Sequence, residues 1–431
     1  MTSRKLSLAA ATLINLNIMV GSGIFINTVL LAHFAGSYGA LTYLIVGILI
    51  LPLILSFSRL ALIHRGGSLY QYGASLGPLH GFLSTWSYFL AKLASCAVAI
   101  HVCSSLLQTV FPPLASYTTL FIDSIIVALF TLLNTLHAHI GKRIQIIFLA
   151  GKLLPIVTIL GAGLYALIFA PSVLPSTNTP FLWFSIVSGI PFVLYAFMGF
   201  EASCGLNHRL AHPERDSSRA LLIAYLLGVV ITTLFQFFFS YLIPSLGSLT
   251  NYLHAFPTLL STCTFCSSGI QYSAVLLLHS GIAASAAGVA FGIMYTNSWN
   301  LYELISRKHL PRRMAWLGTV YHDTPQACVI IEGIIVMAFL IIAGGNIMLL
   351  QQLAACGVVY TYLVSSYALT QLEHSARYIV SWCGVLSCIV LFAACIRNFF
   401  INGIVPLLLF IGMIMVGIVL FRYNAPSLNE S

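Results

Sequence analysis

Long apolar runs separated by short polar gaps fill this chain. A membrane-spanning helix needs about 20 mostly apolar residues. Twelve runs meet that length, near 7–32, 38–61, 81–109, 118–139, 144–169, 183–206, 218–244, 271–304, 327–343, 348–370, 377–396 and 402–422. The pattern predicts an all-α polytopic membrane protein of twelve transmembrane helices. The first run follows Arg4 and Lys5, as the apolar core of a signal peptide would. It is too long for one, carries Asn15 and Asn17, and leads straight into a second run, so no cleavage is expected.

Two runs are interrupted at mid-depth. The first contains Met19-Val20-Gly21-Ser22-Gly23-Ile24-Phe25, with two glycines and a serine inside a spanning segment. In hydrocarbon every backbone N–H and C=O must be satisfied internally, so a loosened helix there persists where its freed groups bind something. A close helix–helix contact is the other reading, because small residues also let membrane helices touch. The sixth run reads Pro191-Phe192-Val193-Leu194-Tyr195-Ala196-Phe197-Met198-Gly199-Phe200-Glu201. It places a proline, a glycine and an acid at membrane depth, where an isolated charge costs at least about 2.5–3.5 kcal/mol. Packing accounts for Gly199 but not for Glu201. Interrupted spans five apart predict a five-plus-five inverted repeat, with the substrate between the breaks. Repeat one is expected at about 7–169, repeat two at about 183–370, and accessory helices at about 377–422, in a single transporter domain over 1–431.

Composition agrees with the pattern. The chain is 59% hydrophobic and 6% charged, against about 25% charged in ordinary soluble domains. The net charge of +9 reports topology. With the N-terminus inside, fifteen of the 18 basic residues fall at the cytoplasmic side, among them Arg59, Arg65, Arg215, Arg219, Arg307 and Arg422. The outer segments 110–117, 170–182 and 245–270 hold no Lys, Arg, Asp or Glu. Both termini are therefore expected in the cytoplasm of a cell-membrane protein. The basic loops need no nucleic-acid partner, since they lie near anionic lipid. The segment 245–270 is expected to hold a short surface helix bracketed by Pro244 and Pro257. The ten cysteines read as small buried hydrophobes, and Cys263-Thr264-Phe265-Cys266 alone has redox or metal spacing.

The helix restarting after Gly23 offers unpaired N–H groups and the positive end of its dipole, suited to a carboxylate. Carbonyls freed around Met19 and between Tyr195 and Met198 suit an ammonium. A site presenting both is built for an amino acid zwitterion.

The chain resembles the amino acid–polyamine–organocation superfamily of permeases, and within it the bacterial arginine–agmatine antiporter type. The stretches that carry the likeness are Gly21-Ser22-Gly23-Ile24-Phe25, the loop Gly66-Gly67-Ser68-Leu69-Tyr70-Gln71-Tyr72 with Gly77-Pro78-Leu79-His80-Gly81-Phe82, and Phe197-Met198-Gly199-Phe200-Glu201. His212-Pro213-Glu214-Arg215 and Asp323-Thr324-Pro325 also fit. The resemblance implies a LeuT-like fold with spans 1 and 6 broken. It implies that Gly21, Ser22 and Gly23 hold the substrate carboxylate, and that carbonyls of Met19, Tyr195 and Met198 hold the amino group, with Phe197 and Gly199 in the same break. Tyr195 would be an aromatic gate, Tyr88 the outer side of the pocket, and Glu201 a gating acid. Two departures bear on the substrate. Ile293 stands near the place of an aromatic platform for a guanidinium, and Lys92 adds a cation. Together they should repel arginine, leaving neutral amino acids first and acidic ones second.

Lys152 lies about eight residues into span 5, roughly 12 Å from its cytoplasmic end. Burial disfavours the ammonium, which can make such a lysine gain and lose a proton during a cycle. Proton-coupled members of the resembling superfamily carry a lysine on this span. The alternative reading is that it caps carbonyls freed near Met19. Lys92 has a structural reading too, as a partner of Glu201. Asp123 is expected at the interface, and Glu303 and Glu332 at cytoplasmic span ends beside the Arg307–Arg313 cluster. His137-Ala138-His139 is a lone pair rather than a metal site. Gly21-Ser22-Gly23 is no phosphate loop, because no Lys-Ser/Thr follows. No cofactor, metal or catalytic set is expected. The partners are an amino acid, a proton or counter-substrate, and the bilayer, in a monomer or homodimer. A major facilitator-type carrier and a nutrient sensor on the same fold are the alternatives; the Gly/Ser/Tyr-rich loop between spans 2 and 3 disfavours the first.

Overall fold

The computed structural model describes residues 5–65, 67–136, 138–169, 183–243, 245–261, 267–321, 324–373 and 378–424. Every apolar run is helical within those limits. The first run forms two helices, α1 (Leu8–Met19) and α2 (Ser22–Ala35). There follow α3 (Gly39–Ile63), the short α4 (Leu69–Ala74), α5 (Pro78–Val110), α6 (Thr119–Thr135), α7 (Ala138–Phe169) and α8 (Trp183–Phe197). The second half holds α9 (Pro213–Leu242), the short α10 (Ala255–Ser261), α11 (Ser268–Ser306), α12 (Gln326–Ala343), α13 (Ile347–Leu372), α14 (Tyr378–Asn402) and α15 (Val405–Asn424). Ten stretches of the described residues are long and apolar enough to cross a membrane, the first of them, Leu8–Ile63, taking in α1 to α3. The shorter α6 is apolar as well. The only β-type pairs among the described residues are isolated bridges, Leu6 with Leu210 and Tyr321 with Thr324.

Local chemistry sets several helix ends. Ser7 accepts from the Ala10 N–H at 3.3 Å to start α1. Ser68 and Gln71 form a capping box on α4. Pro213 opens α9, with Glu214 and Asp216 in its first turn against the positive end of the dipole.

The bundle is organised around α5, which is buried without interruption from Gly81 to Ile100. The helices α11 and α13 lie along it, α3 packs on α9, and α7 packs on α11. Gly281 and Gly288 of α11 admit Pro155 and Phe148 of α7, the close approach that small residues allow in a membrane. Helix α15 stands at the edge, with Leu408, Ile411, Met415 and Val419 exposed. Such residues face lipid tails as apolar as themselves, so their exposure carries no penalty.

Several sequence expectations need correction here. Asp123, expected near a span end, is the fifth residue of α6 and is fully buried there, with Oδ2 2.9 Å from Nδ1 of His101 on α5. Glu332 does not pair at a helix end; it is the seventh residue of α12 and fully buried. Position along a span does not tell which face of the helix a residue occupies, which is why surface pairing was expected for Glu332. Glu303 does pair with Arg307, at 3.1 Å. The segment after α9 holds the short helix α10, with Pro257 inside it rather than beside it, and Phe256 is buried against Phe239. Gly66, His137, Pro244, Cys263, Cys266, Asp323 and the segment 170–182 lie outside the described residues.

The loop helix α4 is fastened to the end of α11 and the turn beyond it. Ser68 Oγ donates to Glu303 Oε1 at 2.6 Å, and the Tyr70 hydroxyl lies 2.6 Å from His309 Nε2. The Arg307 guanidinium stands 4.3 Å over the Tyr70 ring. Burial, with Arg307 beside it, pushes the His309 pKa from 6.5 down to about 4. The folded state therefore binds fewer protons than the unfolded chain between those values. Its stability is full above about pH 6.5 and falls as the pH drops towards 4. The melting temperature in detergent should decline between pH 7 and pH 5, and His309→Gln, which keeps an acceptor for Tyr70, should flatten that decline. An unchanged slope in the variant would place the titration elsewhere.

Candidate substrate site between two broken helices

The break between α1 and α2 is built by Val20 and Gly21. Val20 closes the last turn with its N–H on the Leu16 carbonyl at 2.8 Å, and Gly21 then takes φ −113° and ψ −149°. Gly21 lies against Val289 of α11, with no room there for a Cβ. The chain restarts at Ser22 with no side chain capping the new helix. Its first N–H groups are thus left for another acceptor, at the positive end of the dipole. Ser22 Oγ is buried without a hydrogen-bond partner among the described residues. A Cβ on Gly23 would stand 3.2 Å from the Ala196 Cα and from the Tyr195 ring, so α2 begins where it most closely meets α8.

Part of the carbonyl end of α1 is already answered. Lys152 Nζ donates to the Asn17 carbonyl at 2.6 Å and to the Val20 carbonyl at 2.8 Å. The lysine is fully enclosed on α7. The carbonyls around Met19 were expected to receive a substrate ammonium; two of them hold an ammonium of the protein. The Met19 side chain itself points to Gly228 of α9.

The second break follows α8. The Met198 N–H reaches the Leu194 carbonyl at 3.1 Å and the Tyr195 carbonyl at 3.3 Å. Gly199 then turns to φ +133°. A side chain there would be strained by that conformation and would stand 2.8 Å from the Met19 nitrogen. The two breaks therefore meet backbone to backbone. Glu201, fully buried, accepts the Gly199 N–H on Oε2 at 3.0 Å and the Tyr88 hydroxyl on Oε1 at 2.8 Å. Lys92 Nζ lies 3.4 Å from the same Oε1. Beyond Glu201 the chain winds into a 3-10 helix, Ala202–Arg209. Asn15 of α1 clasps it, donating to Ser203 Oγ at 3.0 Å and accepting the Ser203 N–H at 2.7 Å.

The structure gathers Gly21, Ser22, Gly23, Tyr195, Met198 and Gly199 at one crossing and disperses the other expected residues around it. The Tyr195 hydroxyl lies 3.4 Å from the Ser95 carbonyl. With the α4 loop on the cytoplasmic side, as the charge pattern orients it, Tyr88 falls on the inner rather than the outer side of the pocket. It sits a third of the way along α5 from the α4 end and serves Glu201, because α5 enters from the loop that carries α4. The Phe197 ring turns away to Tyr43 of α3 and Tyr225 of α9, at 5.7 and 6.1 Å. Ile293 is buried on α11, one turn past the Val289 that meets Gly21. A cavity of about 390 Å³ opens on the far side of Glu201, between Cys204, Asn207, Trp299, Glu303 and His64. Sequence reasoning assigned no role to Asn15, Asn17, Ser95 and Ser203. An asparagine pair inside an apolar run was a signal for the first two. Ser95 and Ser203 gave none, since small hydroxyls are common in membrane helices.

Comparison with known proteins places the chain among transporters. An uncharacterized transporter of Mycobacterium tuberculosis is 24% identical over 399 residues, covering 90% of this chain and 85% of that protein. The human Asc-type amino acid transporter 1 is 26% identical over 333 residues, 74% of this chain and 62% of its own length. The low-affinity putrescine importer PlaP of Escherichia coli is 23% identical over 234 residues, 52% of this chain and 51% of its own. The family model described as amino acid permease matches residues 6–425. With its apolar helices, this chain is a multi-pass membrane protein and belongs to the amino acid permease family.

Proposed function

We propose that the protein is a secondary transporter that carries free, neutral amino acids across the cell membrane by alternating access. The observation that carries this reading is the crossing of the two breaks. The uncapped start of α2 and the free Ser22 hydroxyl suit a carboxylate, and the end of α8 supplies carbonyls for an ammonium. A diamine would leave the α2 end unused. The Glu201 carboxylate stands beside Lys92, so their charges balance, and with Ile293 on α11 the surroundings favour an uncharged side chain. The aversion to arginine thus rests on the apolar wall rather than on a free Lys92 charge.

In the reading we favour, the chain has twelve spans with both termini in the cytoplasm. Helices α1 to α7 form repeat one (about 7–169), α8 to α13 repeat two (about 183–370), and α14 and α15 stand outside. The layer of Tyr88, Lys92 and Glu201 separates the crossing from the 390 Å³ cavity and acts as the inner gate. Lys152 is the coupling group. Its ammonium holds the end of α1, so loss of that proton frees two carbonyls and loosens one wall of the site.

Two measurements test this. In a binding panel of one neutral amino acid, glutamate, arginine and putrescine, the neutral amino acid should compete best. Gly23→Leu, whose side chain would push into Tyr195, should reduce its binding at least tenfold. Unchanged affinity in the variant would move the site elsewhere. In proteoliposomes, uptake should follow an inward proton gradient without sodium, and Lys152→Ala should lose that response while still binding substrate. Accumulation by the variant in response to the gradient, or a sodium requirement in the wild type, would remove Lys152 as the coupling group.

A further inference from the structure

Glu332 stands apart from every other acid of the bundle interior. Glu201 has Lys92, a tyrosine hydroxyl and a backbone N–H. Asp123 has His101. Glu332 is fully buried, and neither of its carboxyl oxygens has a hydrogen-bond partner among the described residues. It lies six residues into α12, about 9 Å from the start of that helix. Among the described side chains, the elements packed on this stretch bring no cation to it. From α5 the titratable group facing it is Cys96, and on its own helix Cys328 lies one turn back. Helix α11 presents the amide of Asn297, and α6 places Thr131, whose hydroxyl also lacks a partner, against Gly333. An isolated carboxylate in such surroundings is far costlier than the neutral acid, because one neutral amide, that of Asn297, does not replace its hydration.

The position is adjacent to the site. Cys96 follows Ser95, which touches the Tyr195 hydroxyl, and donates weakly to the Ala290 carbonyl at 3.6 Å. Asn297 lies one turn beyond Ile293 on α11. Along the same seam of α5 and α6, His101 and Asp123 form their pair. His101 is five residues from Cys96, about 8 Å along α5, and partly exposed.

We propose that Glu332 is a second proton-binding site of this protein, loaded as the neutral acid in the state seen here and emptied when α5, α11 and α12 move around bound substrate. On that stroke the carboxyl O–H bond breaks, the proton passes to water admitted between the helices, and the carboxylate remains until it is reloaded. Its role in transport rests on the transporter reading above; its protonation does not.

The experiment uses the full chain in liposomes. Infrared spectra of the wild type near neutral pH should contain the carbonyl stretch of a protonated carboxylic acid, absent from Glu332→Gln and displaced in Glu332→Asp. Adding a neutral amino acid should diminish the wild-type band. Proton-driven accumulation should fall in Glu332→Gln to the level seen without a gradient, while exchange of internal for external amino acid persists. If the wild type lacks a band that these substitutions remove or shift, Glu332 is ionised and the proposal fails. It fails equally if Glu332→Gln accumulates substrate as the wild type does. Should the wild type bind no amino acid, the transporter reading fails instead, and the band still decides the protonation of Glu332. If Glu332→Gln does not fold, Glu332→Asp and the wild-type band decide it.

Discussion

A helix broken inside a membrane must find partners for the backbone groups it frees, and most of what is distinctive in this protein follows from that requirement. Several of the opened groups at the crossing are met by side chains from elsewhere in the chain. Lys152 on α7 takes the carbonyls of Asn17 and Val20, Glu201 takes the N–H of Gly199, and Asn15 takes the N–H of Ser203. These are charged or amide groups in an enclosed region, where a hydrogen bond is strong and an unmet one is costly. The start of α2 has no such protein partner. That asymmetry marks it as the place for something that comes and goes.

The same requirement explains why the interior holds charges at all. Lys92 and Glu201 sit together, so that pair lies in the interior with much of its field cancelled, and Asp123 is met by the His101 ring. Pairing also ties movements together. Glu201 touches α5 through Tyr88 and Lys92 and touches the α8 break through Gly199, so the break cannot reshape without disturbing α5. The cavity beyond Glu201 gives that movement somewhere to go. On its far wall α4 is held by Ser68 and Tyr70 to Glu303 and His309, the first contact part-buried and the second enclosed.

Much of this was legible in the sequence. The apolar runs located the helices, Gly21 and Gly23 located the first break, and Gly199 beside Glu201 located the second. The depth of Lys152 on its span announced that its charge needed an answer. What escaped was orientation about each helix axis. Phe197 was placed with its neighbours in the site, yet one residue is a 100° turn on a helix, and its ring faces Tyr43 and Tyr225. Tyr88 was put at the wrong end because its depth along α5 was not counted from the α4 loop. Glu332 was expected to pair at the surface and Asp123 to lie at the interface, because both stand near helix starts and depth alone does not tell an enclosed face from an open one. Only the packing of α5 against α6, α11 and α12 separates them.

That packing also sets what the two lysines and the unpaired acid can do. Lys92 is balanced by Glu201, so a change in its protonation would strand a carboxylate in an enclosed place. Lys152 is held by neutral carbonyls, and losing its proton strands no opposite charge. Glu332, as a neutral acid, needs no partner in its loaded state. A proton is therefore most easily exchanged where the neutral form is tolerated and the charged form has few or no countercharges. Lys152 on α7 and Glu332 on α12 meet that condition, while Lys92 and Glu201 do not. In the proposed cycle charge pairing holds the gate, and the two groups without a paired charge are the ones assigned to proton exchange.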